Sequence, residues 1–87
     1  MESYKLTFKR SVAKDLREIP RKDLPRILRV FVKLAEDPRP LGCRKLANQE
    51  RYRIRLGTYR ILYEIRDREL IVLVVKVAYR RDAYRSP

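Results

Sequence analysis

The sequence predicts an α+β fold of order β-α-α-β-β-β, in which a helix hairpin packs on one face of a mainly antiparallel sheet. Three patterns lead there. Residues 4–8 alternate apolar and polar, residues 10–36 carry two apolar stripes of helical period separated at Pro20, and from Arg51 the period falls to two. At 87 residues the chain suits a single domain over 1–87, able to bury roughly 60% of the surface its unfolded form exposes.

Taken in order, Tyr4, Leu6 and Phe8 lie on one side of the first strand, with Lys5, Thr7 and Lys9 on the other. Val12, Leu16 and Ile19 recur at i, i+4 and i+7, and Pro20 stops that helix. Asp23 stands as the cap of the second helix, with Pro25 in its first turn, where the missing N–H is no loss. The apolar stripe of this helix is Leu24, Ile27, Leu28, Phe31, Leu34 and Ala35, with Arg26, Arg29 and Lys33 on the wet side. Asp37-Pro38 ends it, because a residue before proline is driven out of the helical region. Residues 38–50 contain Pro38, Pro40, Gly42 and Asn48 without a period and read as a loop.

The remainder reads as a β-meander. Tyr52, Ile54 and Leu56 share one face, while Arg51, Arg53 and Arg55 share the other. Gly57-Thr58 puts Gly first in a two-residue hairpin loop, the type II′ preference, and a second strand runs over 59–66. That loop sets the register: Leu56 faces Tyr59, Arg55 faces Arg60, Ile54 faces Ile61, Arg53 faces Leu62, Tyr52 faces Tyr63 and Arg51 faces Glu64. Over 70–78 a β-branched run, apolar on both faces, reads as a central strand. A three-residue turn at 67–69 would set Lys76 opposite Arg60 and keep Ile71, Leu73, Val75 and Val77 on the core side.

Composition narrows the function. The chain has 23 Lys+Arg against 11 Asp+Glu, a net charge of +12, with 45% hydrophobic residues, which describes a folded basic protein and not a basic tail. Nine of the ten basic residues after position 50 are arginine. Arginine is the residue whose planar fork grips phosphate or stacks on a base, so the excess suggests nucleic acid over an acidic protein or a membrane surface. There is no histidine and only Cys43, so a Cys/His pair, a Ser/His/Asp triad, a histidine-based ribonuclease mechanism and ordinary zinc sites are excluded. No cofactor or metal is expected. A lone cysteine, no apolar run long enough for a bilayer and no signal-peptide core at the N-terminus lead us to expect a cytoplasmic protein.

The hairpin register turns this composition into a site. Arg55 faces Arg60 directly, and like charges opposed across a sheet repel, a conflict that a bound anion relieves. Arg53, Arg55, Arg60 and Lys76 are expected to line one concave surface, with Arg51 at its margin and Arg80 and Arg81 where the last strand exits. Tyr79 and Tyr84 flank that basic pair, and aromatic rings beside arginines hold unstacked RNA bases.

Three runs carry a family likeness: Tyr52-Arg53-Ile54-Arg55-Leu56, then Gly57-Thr58-Tyr59-Arg60-Ile61-Leu62-Tyr63, then Val77-Ala78-Tyr79-Arg80-Arg81-Asp82-Ala83-Tyr84. Together they resemble the RelE branch of the RelE/ParE toxin superfamily, and the likeness extends over nearly the whole chain. The resemblance implies a type II toxin that enters the ribosomal A site and cuts mRNA by 2′-OH attack on the adjacent phosphate. It also implies neutralisation by a cognate acidic antitoxin, and contact with operator DNA only through the antitoxin complex. By the same resemblance Arg53 and Arg55 stand where the best-known member has two lysines. Arg60 matches a phosphate-gripping arginine, Arg80 the proposed general acid and Tyr84 a stacking tyrosine. Arginine at position 55 stays protonated and is a poor base, so the general base is unassigned and Lys76 is the candidate. The alternatives are a ParE-like inhibitor of DNA gyrase without nuclease activity, and a non-catalytic RNA-binding relic.

Overall fold

The segments of period two on either side of the helices join in one sheet. The computed structural model describes residues 3–46 and 50–79. Its elements are β1 (Lys5–Phe8), α1 (Arg10–Arg17), α2 (Leu24–Glu36), β2 (Arg44–Lys45), β3 (Arg51–Leu56), β4 (Tyr59–Arg66) and β5 (Ile71–Tyr79). The strands stand in the order β1-β5-β4-β3-β2, with β1 parallel to β5 and every other neighbour antiparallel.

Both helices feed the core on one face of this sheet. Ile27, Phe31 and Leu34 of α2 and Val12 of α1 are buried against Tyr52, Ile61, Tyr63, Ile65, Val72, Val74 and Val77. Each fully buried aliphatic or aromatic side chain of this kind contributes about 1.5–3 kcal/mol. Asp37, before Pro38, leaves the helix in an extended conformation. Leu28 departs from the expected stripe: it is exposed, as is Val32 one turn on, because the helix rests on the sheet along the narrower Ile27–Phe31–Leu34 line. Asp23 occupies the cap position but makes no cap bond. Its Oδ2 instead accepts the Tyr59 hydroxyl at 2.6 Å, tying the start of α2 to the start of β4.

The β3/β4 hairpin has the register expected of it, pair by pair from Arg51 with Glu64 to Leu56 with Tyr59. Gly57 has φ 59°, the sign a type II′ turn needs at its first position. The next hairpin differs. Arg66 pairs with Ile71, so the turn spans four residues, 67–70, and closes with Leu70 at φ 55°. No glycine or asparagine announces that left-handed residue; the Lys5 N–H on the Leu70 carbonyl, at 2.6 Å, helps hold it.

A bulge in β5 corrects a second expectation. The register shifts between Leu62 and Tyr63, so Lys76 pairs with Leu62 and not with Arg60, whose partner is Ala78. Side-chain parity changes there too. Val72 and Val74 are buried before the bulge, Val75 and Val77 at or after it, and Ile71 and Leu73 lie on the other face. The bulge falls where β1 ends, since Phe8 is the last residue paired, with Val74. Beyond that point Asp15 of α1 covers the sheet edge, its Oδ2 accepting the Val77 N–H at 3.1 Å.

Candidate functional site

The sheet face turned away from the helices carries the arginines. On β3, Arg53 and Arg55 point outward because Tyr52, Ile54 and Leu56 point inward. The register then brings Arg60 of β4 directly across from Arg55. The three arginines expected to form the centre of the site therefore share one surface, with Arg55 exposed and Arg53 and Arg60 half-buried.

The segment read as a loop adds a fourth. Pro40, Leu41, Gly42 and Cys43 make a tight turn, with the Cys43 N–H on the Pro40 carbonyl at 3.1 Å and Gly42 at φ 96°, as the third position of a type II turn requires. The chain leaves that turn as β2, which pairs with β3 and is closed by the Leu46 N–H on the Arg51 carbonyl at 2.8 Å. Arg44 thereby stands opposite Arg53. A groove of about 340 Å³ opens between Gly42, Arg44, Arg53 and Arg55. Two neighbouring rungs of the sheet, Arg44/Arg53 and Arg55/Arg60, thus each oppose two guanidinium groups on the same face. Among the described residues, Arg44 and Arg55 carry no ion pair. Such a surface concentrates positive potential and suits an extended polyanion.

The other expected residues distribute differently. Arg51 is joined to Glu64 at 3.2 Å, and Glu64 also takes Arg66 at 3.4 Å, so one carboxylate offsets part of the positive charge of two arginines at this margin. Lys76 reaches off the face to Asp15, 3.2 Å away. Tyr79, still 38% exposed, leans on Tyr59 with ring centroids 4.7 Å apart. Arg80, Arg81 and Tyr84 lie outside the described residues.

At the opposite end of the sheet a polar cluster fixes the frame. Arg39 spans both oxygens of Asp67 at 3.2 and 2.9 Å and donates to the Tyr52 hydroxyl at 3.2 Å, while Tyr4 donates to Asp67 at 2.7 Å. These donors hold the Asp67 carboxyl down to about 2, the Arg39 bonds foremost. Tyr63, fully buried, donates to the Pro38 carbonyl at 2.8 Å, and burial pushes its phenol above the ordinary range. Burial does the same to Tyr59, reinforced by its bond to Asp23.

Comparison with known proteins agrees with this architecture. The family model for the ParE toxin of type II toxin-antitoxin systems, parDE, matches residues 6–84. Toxin RelG of Mycobacterium tuberculosis is 34% identical over 90 residues, covering 94% of this chain and 97% of that protein. Among solved structures, the RelBE2 toxin-antitoxin complex of Mycobacterium tuberculosis superposes with TM-score 0.81 at 26% identity, covering 92% of this chain and 94% of the other. The archaeal RelE-RelB complex of Pyrococcus horikoshii does so with TM-score 0.81 at 26% identity, covering 90% and 96%. With a family model matching nearly the whole chain, a curated toxin relative at 34% identity and a fold that superposes on these complexes, the chain belongs to the RelE branch of the RelE/ParE superfamily of type II toxins.

Proposed function

We propose that this toxin is a metal-independent, ribosome-dependent endoribonuclease that cuts mRNA in the A site. The observation that carries the reading is the pair of opposed-arginine rungs on one sheet face, which sets four forked phosphate donors side by side. In the reaction the RNA's own 2′-OH forms a bond to the adjacent phosphorus, and the bond from phosphorus to the 5′ oxygen breaks. A 2′,3′-cyclic phosphate and a 5′-hydroxyl are the products. Arg53, Arg55 and Arg60 clamp the scissile phosphate and stabilise the charge that builds on its oxygens. Arg80 stabilises the leaving 5′ oxygen, which takes its proton from water while the 2′-OH gives its proton up to water, and Tyr84 stacks on a splayed base. Arg51, Lys76 and Arg81 flank the strand, the first two with weaker pull because Glu64 and Asp15 share their charge, whereas Tyr79 packs on Tyr59 on the helix side of the sheet.

No arginine of the clamp is a base at ordinary pH. Lys76, held by Asp15 and out of register with Arg60, is poorly placed to reach the 2′-OH. Acceleration then rests on alignment and charge stabilisation, with the ribosome ordering the codon. An acidic antitoxin suits a surface of net charge +12 with Leu28 and Val32 exposed on α2, and it is the antitoxin that brings the pair to operator DNA. The site of action is the cytoplasm.

A second reading follows from the ParE description of the matching family: a gyrase inhibitor that cuts no RNA. Primer extension on programmed ribosomes separates the two. Cuts within the A-site codon that vanish in Arg60→Ala support the nuclease, whereas gyrase-linked DNA breaks with intact mRNA overturn it.

A further inference from the structure

We infer that Arg44 forms a second phosphate subsite, so that the toxin holds two consecutive phosphates of one RNA strand laid across the sheet from β4 to β2. The inference rests on the nuclease reading and extends it beyond the scissile phosphate. Arg44 belongs to a two-residue strand that, among the described residues, has β3 as its one sheet neighbour, and its register partner there is Arg53. The groove between them is walled by Gly42, Arg44, Arg53 and Arg55, so it opens beside the Arg55/Arg60 rung and not at a remote part of the surface.

Dimensions give the strand its course. Arg44 and Arg60 are two strand spacings and one dipeptide apart, which sets their Cα atoms about 12 Å from each other. That row is longer than one phosphate and suits two, linked through a ribose. The forked donors of arginine are suited to hold each phosphate from two sides: Arg55 and Arg60 on one, Arg44 and Arg53 on the next. Local backbone supports the assignment. Gly42 adopts φ 96°, a conformation that a side chain there would strain, and this turn delivers the chain into β2 with Arg44 on the arginine face. Lys45, the neighbouring residue, pairs with Tyr52 and belongs to the opposite side.

The test compares two uncleavable ligands, a 2′-O-methyl dinucleotide with one phosphate and the trinucleotide with two, titrated against the whole toxin at several salt concentrations. Wild type should bind the trinucleotide more tightly, with a salt slope steeper by about 0.7, the value for one added contact to a single strand. Arg44→Ala should remove that step and leave the dinucleotide affinity unchanged, and Arg44→Lys, which keeps the charge, should keep the slope. Arg60→Ala should weaken both ligands. Thermal melting verifies that the variants fold. If the step from dinucleotide to trinucleotide survives in Arg44→Ala, or is absent in wild type, the second subsite is overturned while the nuclease reading stands. If Arg60→Ala weakens neither ligand, the phosphate clamp itself fails, and the subsite with it.

Discussion

Reversing one charge of the Arg55/Arg60 rung should make the fold more stable and the toxin inactive. The two residues are direct cross-strand partners with Cα atoms about 5 Å apart, and side chains of this length can part their charges to about 7 Å. At that distance two like charges in surroundings close to water repel by about 0.6 kcal/mol. Arg55→Glu turns the repulsion into an attraction of similar size, a swing of about 1 kcal/mol before screening. For a domain of this length 1 kcal/mol moves the melting temperature by about 4–8 °C. Thermal unfolding at low salt should show the rise. It should shrink toward physiological salt, where the screening length is about 8 Å. In the same preparation, cleavage on programmed ribosomes should fall by about 100-fold or more, the scale of losing one donor to a developing oxyanion. A melting temperature that does not rise at low salt would refute the charge-conflict argument. Wild-type cleavage by the variant would remove Arg55 from the clamp.

Other consequences concern the frame around the site. Tyr63→Phe leaves the buried Pro38 carbonyl without its donor and should cost about 1–3 kcal/mol in urea unfolding, with cleavage unchanged at permissive temperature. Asp67, held at about 2, titrates below its unfolded value. Its stabilisation is therefore present above about pH 4 and lost as pH falls toward 2, and Asp67→Asn should flatten that acid limb of the stability profile. Asp15→Ala uncovers the Val77 N–H and releases Lys76 at once; we expect a loss of about 1–2 kcal/mol and faster amide exchange at Val77.

The sequence alone determined the part of the fold that rests on short-range periodicity. The helix pair, the β3/β4 register and the outward row Arg53, Arg55 and Arg60 follow from the spacing of apolar residues and from a two-residue Gly-first loop, which leaves one register that buries the aromatic face. Tertiary contacts decided the rest. Strand β2 is only Arg44–Lys45, too short to show a period, and it exists because the open edge of β3 offers it partners; the one sequence signal was the turn chemistry of Pro40 and Gly42 ahead of two basic residues. The β5 register depends on where β1 stops pairing and α1 takes over the edge, contacts between residues some sixty positions apart that no local pattern encodes. Lys76 pairs with Leu62 and reaches Asp15 for that reason, while β2 sets Arg44 beside Arg53. Asp23 likewise reads as a helix cap until Tyr59 is brought within reach of its carboxylate. Spacing along the chain could say that arginines would share a face and that Arg55 would oppose Arg60; only the folded sheet, by choosing which strands are neighbours, decided that Arg44 opposes Arg53.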